Sequence, residues 1–451
     1  AVQTSYPVTG EPTGINHLVR LGITHLHLLP FQNFNPEHSR DYNWGYETTL
    51  FDVPEEQYAT RPGDSERTIR EVKQLVQALH RSRIGLVMDV VYNHSVPTSG
   101  DSSAFWAAVP YYWFRTDHDG NVINESGVGN ALNDERTMVR KFICDSLAFW
   151  AREYHIDGFR FDLLGIFTPA TAKAVRKLLD VIRPGIILYG EPWSGGGPVR
   201  LGKGDQRGTG IAVFNDTFRG LFRGDLDGDG KGVLTGAGWD PAAMLRVLRG
   251  SPDFAAMPSE SVNYISAHDN MTLRDKLARV LGAATDSDRV NAAVRAGITV
   301  TMLSHGIPFL EGGIEIGRTK GGMNTKLHAV TDAKGRPLKF FMTAGQVSDY
   351  TGAAALLGSL PAADWMLADR GYDADWFRDA LKDKGIKPCI PGRKSRGKPI
   401  KHDKRRYKRR NRIEIMFGRL KDWRRVATRY DRCPKVFLSA VALAATVLFW
   451  L

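Results

Sequence analysis

Gly158-Phe159-Arg160-Phe161-Asp162-Leu163 is the stretch of sequence that decides the fold. It is an apolar run that contains one arginine and one carboxylate, and an Asp-Gly bend at Asp157 precedes it. The pattern predicts a short strand of a parallel sheet with Asp162 at its C-terminal end, where barrel enzymes place their catalytic groups. Arg160 and Asp162 are expected on one side of the strand, where the guanidinium would keep the carboxylate ionised and oriented. A structural ion pair on a sheet face is the alternative for this stretch alone.

The composition is that of a folded chain from a reducing compartment. With 451 residues, 42% of them hydrophobic and 24% charged, the chain can bury a large core, and two or three domains are expected. Three scattered cysteines, Cys144, Cys389 and Cys433, do not form the pattern of a disulfide framework or a metal site. No signal peptide is visible, so we expect a cytoplasmic protein, although the chain begins at Ala1 and its N-terminus is expected to be incomplete.

The charge is divided unevenly along the chain. Residues 317–451 contain 30 Lys and Arg against 12 Asp and Glu, whereas the first 316 residues contain 31 against 37. The basic part includes the run Lys401 to Arg410, which indicates contact with a polyanion such as DNA. An ordinary basic surface is the alternative reading of this run.

Apolar runs that end in polar or acidic residues recur through the first 316 residues and alternate with predicted helices. Seven such runs are predicted to be strands: 23–30, 85–94, 158–162, 186–193, 211–215, 262–270 and 306–310. The helices are predicted at 15–21, 65–82, 135–154, 169–182 and 287–304. Alternating strands and helices of this kind predict a (β/α)8 TIM barrel that is incomplete by one strand, with its site at the C-terminal ends of the strands.

Four strand ends bring chemically useful side chains to one rim of the predicted barrel. They are His94, Arg160 with Asp162, Glu191, and His268 with Asp269. Two carboxylates about 5–5.5 Å apart can hydrolyse a glycosidic bond with retention, one attacking carbon and the other protonating the leaving oxygen. Asp162 suits the nucleophile, and burial beside Trp193 would raise the pKa of Glu191, as a general acid requires. Aromatic residues such as Trp44 and Tyr46 offer faces for sugar rings, although any one of them is more often a core residue.

Four segments together resemble the catalytic regions of the α-amylase family, glycoside hydrolase family 13. They are Asp89-Val90-Val91-Tyr92-Asn93-His94, Gly158 to Asp162, Gly190-Glu191-Pro192-Trp193 and Ala267-His268-Asp269-Asn270. Tyr42-Asn43-Trp44-Gly45-Tyr46 resembles the signature of type I pullulanases, debranching enzymes that cut α-1,6 links in pullulan, starch and glycogen. The resemblance covers roughly residues 10–313, and the segment is expected to be truncated at both ends.

The resemblance implies a role for each site residue. Asp162 would be the nucleophile, Glu191 the acid/base and Asp269 the stabiliser of the transition state. His94, Arg160 and His268 would support them, and Trp44 and Tyr46 would contact the sugar. No cofactor is implied for glycoside hydrolysis, although many members of the family bind a structural Ca²⁺. Asp225 to Gly230 begins like a calcium loop, but Gly236 stands where the closing Glu belongs, so a solvated turn is expected.

The remaining residues predict a different α/β segment. A β-hairpin is predicted at 326–342, strands at 365–369 and 386–390, and helices at 347–358, 374–384 and 403–426. The apolar run from Val436 to Leu451 is shorter than the ~20 residues of a membrane span, so a buried terminal helix is expected.

Two acids in this segment suit a two-metal phosphoryl-transfer site. Asp369 ends a predicted strand and Glu414 lies in the basic helix, and carboxylates of this kind hold Mg²⁺. Together with Tyr407, Arg410 and Lys421 they resemble the second and third acids and the C-terminal signature of a DDE transposase of the insertion-sequence class. That resemblance implies a partial RNase H-like α/β domain that contacts DNA through Tyr407, Arg410 and Lys421.

The sequence therefore predicts two domains, 1–315 and 316–451, that unite a truncated debranching hydrolase with a partial transposase. Because the first acid of the transposase site would precede Gly317, where the hydrolase-like sequence lies, the metal site is expected to be incomplete. Three hypotheses follow: a polysaccharide-cleaving enzyme that acts on α-glucans, a DNA-binding transposase remnant, and an inactive chimeric product.

Overall fold

The computed structural model describes residues 3–5, 12–34, 44–96, 103–282, 287–319, 325–344, 357–358, 360–392, 396, 400–423, 426 and 434–450. Tyr42, Asn43, Cys433 and most of the helix predicted at 347–358 lie outside these residues. The chain divides into two compact units, Ala1–Glu315 and Ile316–Leu451.

The first unit alternates strands and helices along most of its length. Its strands are β1 (Gln3–Ser5), β2 (Pro12–Gly14), β3 (His25–Leu28), β4 (Gln32–Phe34), β5 (Thr48–Pro54), β6 (Gly85–Val90), β7 (Gly158–Phe161), β8 (Ile187–Gly190), β9 (Ala212–Phe214), β10 (Ser261–Asn263) and β11 (Ile307–Pro308). Its α-helices are α1 (Ile15–Leu21), α2 (Ser65–Arg81), α3 (Ala104–Ala108), α4 (Thr137–Glu153), α5 (Pro169–Ile182), α6 (Asp216–Arg223), α7 (Pro241–Leu248), α8 (Leu273–Leu281) and α9 (Asp288–Leu303).

A curled sheet of seven parallel strands forms the centre of this unit, in the order β11-β10-β9-β8-β7-β6-β3. Each of these strands overlaps one of the seven predicted apolar runs, and the prediction of an incomplete (β/α)8 barrel is confirmed. The strands are shorter than predicted, and β10 ends at Asn263, so His268 and Asp269 lie in the turn that follows it rather than at its end. Parallel pairing brings the C-terminal ends of neighbouring strands to one edge of the sheet. The register places Asp89 of β6 beside Arg160 of β7, and Arg160 beside Tyr189 of β8.

Local sequence explains the helices that surround the sheet. The carboxylate of Asp64 caps α2 by accepting a hydrogen bond from the Arg67 amide at 3.0 Å. Thr168 caps α5, and Pro169 occupies its first position, where a missing N–H costs nothing. The main core packs apolar side chains of α4 and α5 against the strands, and Trp150 at its centre donates from Nε1 to the Phe51 carbonyl at 2.9 Å. Removal of this apolar surface from water is the main term that stabilises the half-barrel.

The second unit contains two separate pairs of strands among its described residues. Its strands are β12 (Thr325–Thr331), β13 (Pro337–Ala344), β14 (Trp365–Leu367) and β15 (Lys387–Cys389). Its α-helices are α10 (Asp375–Asp383), α11 (Lys404–Tyr407), α12 (Asn411–Lys421) and α13 (Pro434–Phe449). β12 and β13 form the predicted antiparallel hairpin, and β14 pairs with β15 in parallel.

The C-terminal helix α13, expected to be buried, packs against this unit along one face. Val441, Ala444 and Ala445 are buried against Met416 and Leu420 of α12. One face of the terminal helix is thus covered by protein, whereas Leu443 and Val447 on the rest of the helix are about half exposed. In the described part of the chain, every helix is too short or too polar to span a bilayer.

Candidate active site

Arg160 lies at the centre of the half-barrel and binds three carboxylates. Its side chain is 2% exposed, and Nη1 donates to both oxygens of Asp89 at 2.9 and 3.1 Å. Nη1 also donates to Asp162 Oδ1 at 2.8 Å, and Nη2 donates to Glu191 Oε1 at 2.6 Å. A single guanidinium therefore brings together the two carboxylates that the sequence predicts to be catalytic, and its planar fork fixes their directions.

Each of these two carboxylates has a second donor that orients it. Asn93 Nδ2 donates to Asp162 Oδ2 at 2.7 Å. The backbone amide of Leu163 donates to Glu191 Oε2 at 2.9 Å. Leu163 has a φ of 45°, a strained value for a residue with a side chain, and it directs this amide to Glu191 from the position next to Asp162. Strain at this position is typical of a site whose geometry is held by its surroundings.

Asp89 is part of the site although its role was missed at the sequence level. It is fully buried in β6 and accepts hydrogen bonds from the Tyr46 hydroxyl at 2.7 Å and from His27 Nε2 at 3.3 Å, besides those of Arg160. The signal was an acid in the middle of an otherwise apolar strand, since such a group is buried only with partners. Tyr46, expected to contact a sugar, is thus held by its hydroxyl to Asp89, the carboxylate that also binds Arg160.

His268 connects Tyr46 to Asp269. Its Nε2 lies 2.9 Å from the Tyr46 hydroxyl and 3.1 Å from Asp269 Oδ1. The ring stacks on Tyr46 with centroids 5.6 Å apart, and Trp44 meets it edge-on at 5.3 Å. The side chain of Asp269 is 50% exposed, so the third predicted carboxylate faces solvent while its histidine is held by two aromatic rings.

His94 is linked to the carboxylates through Asn93. It is buried, and its Nδ1 bonds to Asn93 Oδ1, while Asn93 bonds in turn to Asp162. Burial lowers the pKa of His94 to about 4, so the ring is neutral near pH 7. A neutral imidazole can orient Asn93 without adding a second positive charge beside Arg160.

The environment shifts the pKa values of the carboxyl groups in different directions. Burial raises the pKa of Glu191 to about 7, and Arg160 opposes this rise while Asp162 adds to it. Burial also raises the pKa of Asp162, and thus opposes the effect that we expected from Arg160. Burial alone would raise the pKa of Asp269, but the hydrogen bond and charge of His268 bring it below its ordinary value. The buried pair therefore retains a proton near neutrality, while Asp269 is ionised.

In the second unit, Arg410 joins the two predicted metal-binding acids. Its Nη2 donates to Asp369 Oδ2 at 3.3 Å, and its Nη1 lies 2.9 Å from Glu414 Oε1. Asp369 also accepts from the Gly371 amide at 2.8 Å. Tyr407 contacts the ring of His402, and Lys421 is exposed at the end of α12. Asp369, Arg410 and Glu414 are thus together, with a guanidinium between the acids.

These residues do not fit a two-metal centre. Among the described residues, three or more metal-ligand side chains converge only at Asp117, His118 and Asp119, which are exposed. The two acids near the end of the first unit are used there, since Glu311 bonds to Ser266 and Glu315 bonds to His17 Nε2 at 2.9 Å. Two carboxylates whose charge is half offset by Arg410 lack the negative charge that a pair of divalent ions requires.

The comparisons with known proteins divide the chain in a similar way. The transposase DDE domain family matches residues 311–449. A pullulanase of Bacillus subtilis (strain 168) is 36% identical over 330 residues, which represent 70% of this chain and 46% of that protein. The solved pullulanase from Bacillus acidopullulyticus matches 71% of this chain and 40% of its own, with a TM-score of 0.67 and 42% identity.

A third relative is the pullulanase from Anoxybacillus sp. LM18-11, solved as a complex with maltotetraose. It matches 70% of this chain and 47% of its own, with a TM-score of 0.65 and 38% identity. This chain spans less than half the length of each of the three pullulanases. The chain therefore joins a pullulanase-like catalytic segment of the α-amylase family to the C-terminal part of a DDE transposase-like domain.

Proposed function

We propose that the first unit hydrolyses α-1,6-glucosidic bonds in pullulan, starch or glycogen, with retention of configuration at the anomeric carbon. The observation that carries the proposal is the pair of carboxylates, Asp162 and Glu191, held by the one guanidinium of Arg160. The Anoxybacillus pullulanase complexed with maltotetraose supports an α-glucan as the substrate class.

The first step forms a covalent glycosyl-enzyme. Asp162 attacks the anomeric carbon while protonated Glu191 gives its proton to the glycosidic oxygen, whose bond to that carbon breaks. The raised pKa of Glu191 keeps the required proton in place near neutrality. Ionised Asp269, half exposed at the same site, stabilises the positive charge that develops on the sugar ring.

The second step releases the sugar. Glu191, now ionised, takes a proton from a water molecule whose oxygen attacks the anomeric carbon, and the ester bond to Asp162 breaks. Arg160 loses one anionic partner when Asp162 is esterified, but Asp89 still binds it through two oxygens. Asp89 thus keeps the guanidinium charged and fixed through both steps.

The experiment that tests this proposal compares Asp162→Ala and Glu191→Gln with the unchanged chain on pullulan. Glu66→Gln, on the exposed face of α2, is the matched control. Each active-site substitution is expected to lower kcat by a factor on the order of 10²–10⁴ or more, because a nucleophile or a general acid is lost. Unchanged debranching in either variant would contradict the assignment.

We further propose that the second unit binds DNA through its basic segment. Lys404, Arg405, Lys408 and Arg409 are exposed on α11 and the turn that follows it. Clustered exposed cations bind phosphates without much choice of sequence. If the chain neither hydrolysed pullulan nor bound DNA, the third hypothesis, an inactive chimeric product, would be favoured.

A further inference from the structure

The loop Asp225 to Gly230 wraps around a lysine ammonium. Lys276, which projects from α8, has a side chain that is 0% exposed. Its Nζ donates to Asp225 Oδ1, to the Gly228 carbonyl at 2.7 Å and to the Gly230 carbonyl at 3.0 Å. An ammonium has three N–H donors, and here all of them are used.

The oxygens around Lys276 are of the kind that surround a bound calcium ion. One carboxylate and two backbone carbonyls of a short Asp- and Gly-rich loop converge on one positive charge. The loop closes tightly because Gly228 has no side chain, and a Cβ there would collide with the Asp225 carboxylate. The loop thus has the form of a cation site whose cation is a side chain of the same protein.

The same loop holds the residues that follow Asp269. Asp227 Oδ1 accepts a hydrogen bond from the Met271 amide at 2.7 Å, and Asp227 Oδ2 accepts one from Asn270 Nδ2 at 3.0 Å. Asn270 and Met271 are the two residues directly after Asp269. A shift of the loop would therefore move the backbone that supports the exposed carboxylate of the active site.

A second buried cation ties the loop to this backbone. Arg223 is buried, and its Nη2 donates to the Leu226 carbonyl at 2.8 Å and to the Met271 carbonyl at 2.6 Å. Without Lys276, the Asp225 carboxylate and the two carbonyls would face one another with no donor between them. The Asp225 carboxylate is already 47% exposed, and its repulsion from the two carbonyl oxygens would open the loop further towards water.

We propose that Lys276 is a positioning residue, whose ammonium takes the place of a metal ion in the loop and thereby fixes Asn270, Met271 and the adjacent Asp269. The effect on hydrolysis rests on the function proposed above for the first unit, whereas the effect on the loop does not.

Hydrogen–deuterium exchange on the full chain tests the structural part. Lys276→Met keeps the length of the side chain and removes the ammonium, and Lys141→Met, at an exposed pair with Asp145, is the matched control. Exchange of the peptide 264–272 is expected to become about tenfold faster in Lys276→Met, because the Met271 amide loses a stable acceptor. The peptide 158–163 of the central sheet should keep its protection, and Lys141→Met should leave both peptides unchanged. Unchanged exchange at 264–272 in Lys276→Met would overturn the proposal.

Kinetics on pullulan test the positioning role. Lys276→Met is expected to lower kcat about 10- to 100-fold and to leave KM within about threefold, because Asp269 acts in the transition state. Asp227→Ala, which removes both acceptor oxygens, should do the same, and the double variant should be no slower than the slower single one, since both act through the loop's hold on Asn270 and Met271. A loss confined to KM, or multiplicative losses in the double variant, would overturn the proposal.

Two outcomes separate this proposal from the proposed function. If Lys276→Met does not fold, Asp227→Ala decides, because it keeps the ammonium and removes both oxygens that accept from Asn270 and Met271. If the unchanged chain does not cleave pullulan, the proposed function fails, and the exchange of peptide 264–272 still decides whether Lys276 holds the loop.

Discussion

At the scale of single residues, the site is a balance between one buried cation and several carboxyl groups. Arg160 has its pKa raised well above the ordinary value, because the nearby carboxylates outweigh burial, and it stays charged at any pH the protein survives. The buried carboxyl groups cannot all be ionised at low energetic cost beside a single positive charge. One carboxyl group therefore stays protonated near neutrality, and we propose that this proton on Glu191 is the one given to the glycosidic oxygen.

The pH dependence of hydrolysis follows from this proton. With a pKa of about 7, Glu191 is protonated below neutrality and loses its proton as the pH rises through that value. Because the acid form is the one that starts the reaction, kcat/KM on pullulan is expected to fall about tenfold per pH unit above about pH 7. The fall in kcat/KM is measured from initial rates between pH 5 and 9 at constant ionic strength.

Two variants test whether Glu191 causes the fall in kcat/KM above pH 7. Glu191→Gln should abolish the fall in kcat/KM above pH 7 together with most of the activity. Glu66→Gln on α2 should preserve that fall. Because Asp162 and Glu191 titrate as a pair, the measured value belongs to the pair. A profile that stays flat up to pH 9 in the unchanged chain would contradict the raised pKa.

Residue patterns along the chain predicted one part of this site and missed another. Asp162 and Glu191 directly follow β7 and β8, so their place at a strand end could be predicted from the apolar runs before them, whereas Asp269 lies in a turn six residues after β10. The partners of Asp89 could not, because Tyr46 lies 43 residues before it and Arg160 lies 71 residues after it. Contacts of that separation depend on how the sheet curls, which local pattern does not encode.

At the scale of elements, the loop Asp225 to Gly230 shows the same limit. A solvated turn is expected from the missing closing acid, and Asp229 is indeed 78% exposed. The inner side of the loop is nevertheless filled by Lys276, which lies 51 residues after Asp225. A loop motif considers only the residues of the loop itself. The positive charge that fills the loop Asp225 to Gly230 is the ammonium of Lys276, which lies on a later helix, α8.

The packing of α12 against α13 supports a second prediction at this scale. Leu420 is 1% exposed and packs against apolar residues of α13, whereas Ile415 on the same helix is 56% exposed. Leu420→Ala should lower the free energy of unfolding of the second unit by about 2–5 kcal/mol, because it leaves a cavity. Ile415→Ala, the matched control, should change it by less than about 1 kcal/mol.

Urea unfolding of the full chain measures this difference. Hydrogen exchange of peptides from 325–344 and 411–421 reports the second unit separately from the first. Equal effects of the two substitutions would show that α13 does not cover α12 in solution.

At the scale of the whole molecule, the two units differ in charge and so in the partners they can attract. The first 316 residues carry an excess of acids, which suits a neutral glucan, and residues 317–451 carry the excess of bases. The opposite net charges of the two parts can be predicted from sequence, because net charge depends only on composition.

DNA binding by the second unit should be strongly dependent on salt. If the basic segment neutralises about 6–10 phosphates, affinity for duplex DNA should fall by about 10³–10⁵ between 50 and 200 mM salt, since each contact releases counterions. The affinity of the full chain is measured by fluorescence anisotropy at several salt concentrations. Salt-independent affinity, or no binding, would contradict the proposal.

Paired substitutions locate the contact on the surface. Arg405→Ala with Arg409→Ala should reduce the salt slope by about two, because each lost phosphate contact reduces it by about one. Lys382→Ala with Lys384→Ala removes the same charge from exposed positions at the end of α10 and should have little effect. Equal losses from the two pairs would place the interaction in the net charge of the unit rather than in α11.

DNA cleavage, by contrast, is not expected even with Mg²⁺ or Mn²⁺ supplied. Two-metal chemistry needs carboxylates that bridge both ions and offset their charge, and the guanidinium of Arg410 already lies between Asp369 and Glu414. Among the described residues, no further acid converges with these two. An ion that entered would have to displace Arg410 and would then be held mainly by water, which does not align a phosphodiester for attack.

The measurement is nicking of supercoiled plasmid by the purified full chain, with Glu414→Ala as the matched variant and both metals tested. We expect no metal-dependent nicking above that of Glu414→Ala, and no gain when Arg410→Ala frees the two acids, because a third carboxylate would still be needed to hold the second ion. Nicking that depends on the metal and disappears in Glu414→Ala would show that another ligand completes the site. That result would change the second unit from a DNA-binding segment to a nuclease, and it would do so without altering the role of Asp162 and Glu191 in the first.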